Sequence, residues 1–174
     1  MAQTRLIRRG VDEAYILRVD TSFSTDRIYK VKRNGLSFGL ELCEISPVLR
    51  KDYGPVTDLD EYSLVVVAEE DSVICGFAAL KVETWNKRMV LGQLFVSENY
   101  RGSGIGKLLV HDCIDYAKSN NTRCLWLETQ NINYPAIQFY QRLGFEWCGL
   151  DTELYDDTTD NVNEIALFFA KQIE

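Results

Sequence analysis

The run Arg101-Gly102-Ser103-Gly104-Ile105-Gly106 lies between an apolar stretch, Met89 to Val96, that predicts a strand and an amphipathic stretch that predicts a helix. Such a place holds phosphate. Three alternating glycines let the backbone approach an anion closely, and a helix starting near Gly104 offers unpaired N–H groups and the positive end of its dipole. Arg101 adds a positive charge, and Lys107 follows in the first turn. The bland alternative is a glycine-rich turn that does no more than cap a helix. Two nucleotide-binding readings fail on particular residues. A dinucleotide fingerprint needs a third glycine where Leu109 stands, and a P-loop needs Ser or Thr at Leu108 and Gly at Arg101.

A second segment resolves the choice. Asn133-Tyr134-Pro135-Ala136-Ile137-Gln138-Phe139-Tyr140-Gln141-Arg142-Leu143-Gly144-Phe145 follows the strand-like run Cys124 to Glu128. Asn133 predicts a helix cap, Pro135 suits the first turn, and Gly144 ends the helix before a further strand. Strand, R-G-x-G-x-G, helix, strand, N-x-x-A-x-x-x-Y-x-x-x-G-F resembles the acyl-CoA-dependent N-acetyltransferases of the GNAT superfamily, over about Leu64 to Phe169.

Composition sets the outer limits. With 174 residues, 46% of them hydrophobic, the chain suits one domain, 1–174, with an ample core. No apolar run has the length of a signal-peptide core or a membrane helix, so a soluble cytoplasmic protein without a membrane partner is expected. The net charge of −7 opposes nucleic-acid binding and suits a cationic substrate, although solubility alone explains an acidic surface. Five scattered cysteines without a C-x-x-C pair predict neither a disulfide framework nor a metal site, and are expected to be reduced and mostly buried. The only histidine, His111, falls off the stripe of Ile105, Leu108, Leu109, Cys113, Tyr116 and Ala117, which makes it a surface residue and leaves cysteine or serine nucleophiles without a base.

The elements that must position these residues follow from pattern. A strand is expected over Thr4 to Arg8 and a helix over Val11 to Val19. Ile28 to Lys32 and Leu36 to Ile45 predict a hairpin about Arg33-Asn34-Gly35, and Ser46 to Glu61 a loop. Ser63 to Glu69, Val73 to Glu83 and Arg88 to Val96 predict strands, with a tight turn at Glu70-Asp71 and another at Trp85-Asn86-Lys87. Phe145 to Leu150 and Glu164 to Ala170 predict the last strands, around a polar loop from Asp151 to Asn161. The fold class is α/β (α+β). The resemblance implies the GNAT fold, a mixed and mostly antiparallel central sheet flanked by helices, with splayed central strands that admit the pantetheine arm.

The same resemblance implies roles. Acetyl-CoA is the cosubstrate, bound through Arg101, Gly102, Ser103, Gly104, Ile105, Gly106, Lys107 and Asn133, with backbone groups of Leu94, Phe95 and Val96 along the pantetheine. Tyr140 stands beside the thiol as general acid, protonated at neutral pH, or else is only a core aromatic. Antibiotic-modifying relatives often carry a Glu-Asp pair before the glycine loop, where this chain has Leu91-Gly92-Gln93. The base is therefore open between Glu128, Glu83 and water, and either carboxylate can instead be a solvated strand-end charge. Within the superfamily, Ser22 to Asp26, Trp85 to Arg88, Leu125 to Gln130 and above all Gly149-Leu150-Asp151-Thr152-Glu153-Leu154-Tyr155 resemble streptothricin (nourseothricin) acetyltransferases. That likeness implies acetylation of the β-lysine amine of a cationic antibiotic, with Glu83, Trp85, Glu128, Asp151 and Tyr155 about the amine; Asp151 and Tyr155 can also serve only to order their loop. Another small-molecule or protein amine, and a non-catalytic acyl-CoA sensor, remain as alternatives, as do a monomer and a homodimer.

Overall fold

A computed structural model describes residues 2–156 and 164–173. Along the chain run β1 (Gln3–Leu6), α1 (Glu13–Ile16), β2 (Phe23–Asn34), β3 (Ser37–Lys51), β4 (Leu64–Glu70), β5 (Val73–Glu83) and β6 (Arg88–Val96). Then come α2 (Ile105–Ser119), β7 (Cys124–Gln130), α3 (Tyr134–Arg142), β8 (Glu146–Asp151) and β9 (Ala166–Gln172). The described residues fall into two compact units, one drawn from 2–22, 52–127 and 171–173, the other from 23–51, 128–156 and 164–170.

In the first unit the strand order is β1-β4-β5-β6-β7. Every pairing in it is antiparallel except β6 with β7. Both residue parities of β4 and β5 are buried, so the sheet is covered on both faces. Val65, Val67, Phe77 and Ala79 join Ile16 and Val19 in one cluster, while α2 packs on β4, β5 and β6. The burying stripe of α2 is Ile105, Leu109, Val110, Cys113 and Ala117. His111 is exposed, as expected, but Leu108 is also exposed and Val110 takes its place in the core. The β4–β5 turn falls at Asp71-Ser72, one residue later than expected, with both residues at positive φ. That is the geometry of the hairpin turns whose twist matches the strands.

The helix expected over Val11 to Val19 is a single turn. Arg18 and Val19 donate to Tyr15 and Ile16, three residues back, so the chain tightens instead of continuing as an α-helix. At the other end the Asp12 carboxylate makes no capping bond, because Arg5 (2.6 Å), the Arg8 guanidinium (2.9 Å) and the Arg8 N–H (2.7 Å) hold it.

The second unit holds the β2–β3 hairpin, the antiparallel pair β8–β9, α3 and the end of β7. The hairpin is longer than expected, running from Asn34↔Ser37 to Phe23↔Lys51. Pro47 was expected in a loop, but β3 passes through it because it sits where the register shifts opposite Asp26, where it removes no ladder bond. Asn133 caps α3 by accepting from the Ala136 N–H at 3.2 Å, with Pro135 in the first turn, as its sequence predicts. Part of the polar loop expected from Asp151 to Asn161 lies outside the described residues.

Candidate active site

The glycine run forms the turn that starts α2. Gly102 and Gly104 adopt φ of +78° and +93°, which side-chain-bearing residues rarely adopt, and the space around a Cβ at either position is open. The first helical bond is Leu108 N–H to the Gly104 carbonyl at 3.1 Å, and no side chain caps the end. The N–H groups of Ile105, Gly106 and Lys107 thus point out of an uncapped, positively polarised terminus, a site chemically suited to phosphate. Lys107 is exposed there, and Ser103 Oγ braces the turn by donating to the Tyr100 carbonyl at 2.6 Å. Arg101 is more committed than its sequence suggests. Its guanidinium donates to the Val96 carbonyl (2.7 Å) and the Ser22 carbonyl (2.7 Å) and lies 3.4 Å from the Asp20 carboxylate. It fastens the 20–22 segment as well as supplying charge.

Strand β6 pairs with β7 only from Arg88 to Leu91. From Gly92 to Val96 its pairing continues with β5 alone, across a bulge at Gly92. The backbone of Leu94, Phe95 and Val96 therefore presents an edge that an extended amide ligand can extend, the recurrent way a peptide-like chain is bound by a strand. Gly92 leaves room for the Tyr62 ring: a Cβ there would lie 2.5 Å from Tyr62 Cε1 and would force the ring to shift, and Gln93 Nε2 donates to the same tyrosine at 3.1 Å.

Glu83 and Trp85 also belong to the first unit. The Glu83 carboxylate accepts from Arg88 Nε (2.8 Å) and Asn86 Nδ2 (3.1 Å). Burial alone would raise its pKa, but these two partners outweigh it and hold the carboxyl below its ordinary range. Arg88 in turn lies 4.0 Å over the Trp126 ring. Glu83 thus serves the turn after β5, while Trp85 is 84% exposed.

In the second unit, Tyr140 is buried on α3, its ring edge-on to Phe139 and Phe145 at centroid distances of 5.4 and 5.6 Å. The end of β7 brings together groups that the sequence spaces far apart. Glu128 accepts a hydrogen bond from the Tyr155 hydroxyl. Burial pushes the Glu128 carboxyl upward, the Tyr155 bond opposes this, and the negative charge of Glu164 adds to the rise. The result is a carboxylate with raised proton affinity, the property a general base near neutral pH requires. Asp151 has a local task, accepting the Glu153 N–H at 2.8 Å to fold the turn that leads to Tyr155.

Sequence reasoning missed Glu164 and Lys51. Glu164 is 7% exposed, ion-paired with Lys51, and accepts from Gln130 Nε2 at 2.8 Å. Its only sequence signal was an acidic residue heading an apolar strand. Three of the five cysteines, Cys75, Cys113 and Cys124, are buried, while Cys43 is half-buried and Cys148 exposed; desolvation pushes the Cys113 thiol up to about 12. Among the described residues no helix is long and apolar enough to cross a membrane.

Comparison with known proteins shows the family. Residues 36–145 match the acetyltransferase (GNAT) family. Streptothricin acetyltransferase of Streptomyces lavendulae is 35% identical over 177 residues, covering 95% of this chain and 92% of the relative. That of Escherichia coli is 30% identical, covering 90% and 88%. A crystal structure of nourseothricin acetyltransferase superposes with a TM-score of 0.91 at 33% identity, covering 99% of both chains. A Bacillus anthracis structure in complex with acetyl coenzyme A shares the fold, with a TM-score of 0.85 at 24% identity and 99% of both chains covered. An uncapped glycine turn entering a helix, an open strand edge before it and an Asn-capped helix bearing a buried tyrosine thus occur in a chain that belongs to the GNAT acetyltransferase family.

Proposed function

We propose that the chain transfers the acetyl group of acetyl-CoA to the β-lysine amine of a streptothricin, removing a positive charge the antibiotic needs and so protecting the cell. The supporting observation is the Tyr155–Glu128 hydrogen bond. It ties the Leu150-to-Tyr155 element, which lies beyond the family match ending at residue 145, to the carboxylate of raised proton affinity at the end of β7. The likeness to streptothricin acetyltransferase extends over 95% of the chain.

Bound acetyl-CoA would supply a thioester: the amine nitrogen bonds to its carbonyl carbon, the C–S bond breaks, the amine gives up a proton and the departing sulfur takes one. In this reading the N–H groups from Gly102 to Lys107, with Arg101, hold the pyrophosphate, and Leu94, Phe95, Val96 and Asn133 seat the pantetheine arm. Backbone N–H groups of β6 polarise the carbonyl. Glu128 receives the ammonium and its proton, Tyr140 protonates the sulfur, Asp151 and Tyr155 shape the amine site, and Glu83 and Trp85 form its rim. Residues 1–174 act as one catalytic domain, without a metal, in the cytoplasm, as a monomer or a homodimer.

The test is thiol release from acetyl-CoA with streptothricin, an aminoglycoside, spermidine and a peptide amine. Turnover with streptothricin at a kcat/KM far above the others is expected, with the product's added acetyl group on the β-lysine nitrogen by mass spectrometry. Preferential turnover of another amine, or none with any, overturns the substrate assignment.

A further inference from the structure

The Ser97 N–H donates to the Cys75 carbonyl at 2.8 Å, and the register ahead of it pairs Val96 with Gly76 and Phe95 with Phe77. Antiparallel pairs alternate between those that exchange both main-chain bonds and those that exchange neither. Phe95, two residues from Ser97, therefore turns its N–H and C=O toward β5, and its carbonyl oxygen lies 2.8 Å from where a Cβ on Gly76 would stand. Leu94 and Val96 turn theirs the other way, to the edge that β7 leaves open beyond Leu91. One of these groups is already taken. Arg101 Nε donates to the Val96 carbonyl at 2.7 Å.

That bond is held from a second side. Arg101 Nη2 donates to the Ser22 carbonyl at 2.7 Å and lies 3.4 Å from both the main-chain and the carboxylate oxygen of Asp20. The 20–22 segment is anchored in its own right: the Asp20 N–H donates to Ser97 Oγ at 3.1 Å, Asp20 Oδ1 accepts from the Ser22 N–H and hydroxyl at 2.9 and 2.7 Å, and Thr21 Oγ1 donates to the Gly54 carbonyl at 2.8 Å. Thr21 and Ser22 are both buried. A planar guanidinium fixed at Nε and Nη2 has its direction set, which a single rotatable ammonium does not reproduce. Only Nη1, without a protein partner among the described residues, remains for the pyrophosphate. The open edge is left with the Leu94 N–H, the Leu94 carbonyl and the Val96 N–H.

We propose that Arg101 is a positioning residue for acetyl transfer: by closing the Val96 carbonyl it ends the open edge at the Val96 N–H and so fixes the register in which the pantetheine arm lies along β6. The inference rests on the reading that this edge seats the arm. Its consequence falls on the thioester, because register along a strand edge changes in steps of two residues, about 7 Å, and an arm displaced by such a step carries its carbonyl away from the amine. A lost charge at the pyrophosphate would instead weaken binding and leave a bound thioester in place.

Turnover with S-acetyl-pantetheine, which has no pyrophosphate, separates the two roles. Arg101→Met, of similar length and without a donor, is expected to lower kcat about 10- to 100-fold with S-acetyl-pantetheine and with acetyl-CoA alike, the size of effect that misplacing a reacting group produces. Arg101→Lys keeps the charge and the stem but not the fork, so it too should lower kcat with both donors, and it serves as the test where Arg101→Met does not fold. A merely structural clamp would lower Tm and leave the kcat of the folded enzyme unchanged. Near wild-type kcat with S-acetyl-pantetheine in Arg101→Met, or in Arg101→Lys where only that variant folds, overturns the role of Arg101, whatever happens to acetyl-CoA affinity. The reading beneath it is tested separately by amide hydrogen exchange of the wild-type protein. Saturating coenzyme A is expected to slow exchange at Leu94 and Val96 and to leave Phe95, already in the ladder with β5, unchanged. Unprotected Leu94 and Val96 amides overturn the use of this edge by the arm, independently of turnover in any variant.

Discussion

Replacing Gly104 by alanine separates the two properties that the glycine turn combines. In the free protein an alanine Cβ meets no atom within 4 Å, so its cost is only that of holding a side-chain-bearing residue at φ +93°. That strain is about 1–2 kcal/mol, partly offset by the smaller entropy of the unfolded chain. For a chain of this size a loss near 1 kcal/mol lowers Tm by about 2–4 °C. Binding should suffer more, because the methyl group enters the open space by which phosphate would approach the Ile105, Gly106 and Lys107 N–H groups. Losing one hydrogen bond to a charged acceptor costs about 1.5–3 kcal/mol, or roughly 10- to 150-fold in Kd. Calorimetry with acetyl-CoA measures that loss. Turnover with S-acetyl-pantetheine, which has no pyrophosphate, supplies the control, and its kcat/KM should stay near wild type. Unchanged acetyl-CoA affinity, or equal losses with both donors, would refute the assignment of this turn to the pyrophosphate.

Tyr140→Phe keeps the aromatic contacts with Phe139 and Phe145 while removing the hydroxyl, so kcat should fall about 10²- to 10⁴-fold; near-normal kcat when chemistry limits the rate would remove Tyr140 as general acid. Asp151→Asn keeps an oxygen for the Glu153 N–H and deletes the charge, so a several-fold rise in KM for streptothricin, with acetyl-CoA affinity intact, is expected if the charge faces the amine. A wild-type KM would leave Asp151 as a turn residue only. Asp12→Asn should cost about 2–3 kcal/mol at pH 7 by urea unfolding, because the Asp12 side chain is fully buried against Arg5; the share of Arg8 is small because that side chain is 62% exposed. The Asp12 pKa is lowered on folding, chiefly by the Arg5 hydrogen bond, so its contribution is present above the unfolded value near 4 and is lost as pH falls through the lower folded value. The stability gap between wild type and variant should therefore shrink below about pH 4; a constant gap would show that the loss is one of packing.

What was legible in the sequence is what short stretches of chain decide for themselves. The glycine turn, the Asn133 cap and β6 each depend on neighbours within a few residues, and each lies where its pattern predicts. Arg101 was legible as a charge but not as a clamp, because the Ser22 carbonyl it holds is 79 residues away. Asp12, inside the helix expected over Val11 to Val19, was equally illegible as the partner of Arg5 and Arg8, and α1 is a single turn. Lys51 and Glu164 are 113 residues apart, and neither belongs to a motif; only the folded chain makes a partly buried pair of them.

At Gly92, one of the positions where antibiotic-modifying relatives often carry an acidic pair, a Cβ would lie 2.5 Å from the Tyr62 ring, so a side chain there requires that ring to shift; Leu91 and Gln93 stand on either side. Glu83, the other strand-end acid of the first unit, is held by Arg88 and Asn86 below the ordinary carboxylate range, which makes it a poor acceptor of a proton. Glu128 has the opposite environment: burial and a like charge strengthen its hold on a proton, and a tyrosine hydroxyl fixes its orientation. Of the two carboxylates that the sequence leaves open as bases, one is electrostatically spent on its own turn and the other has the raised proton affinity that the proposed role of base requires. The preference for Glu128 therefore rests on the difference between their surroundings, a property that neither residue type nor strand position could disclose.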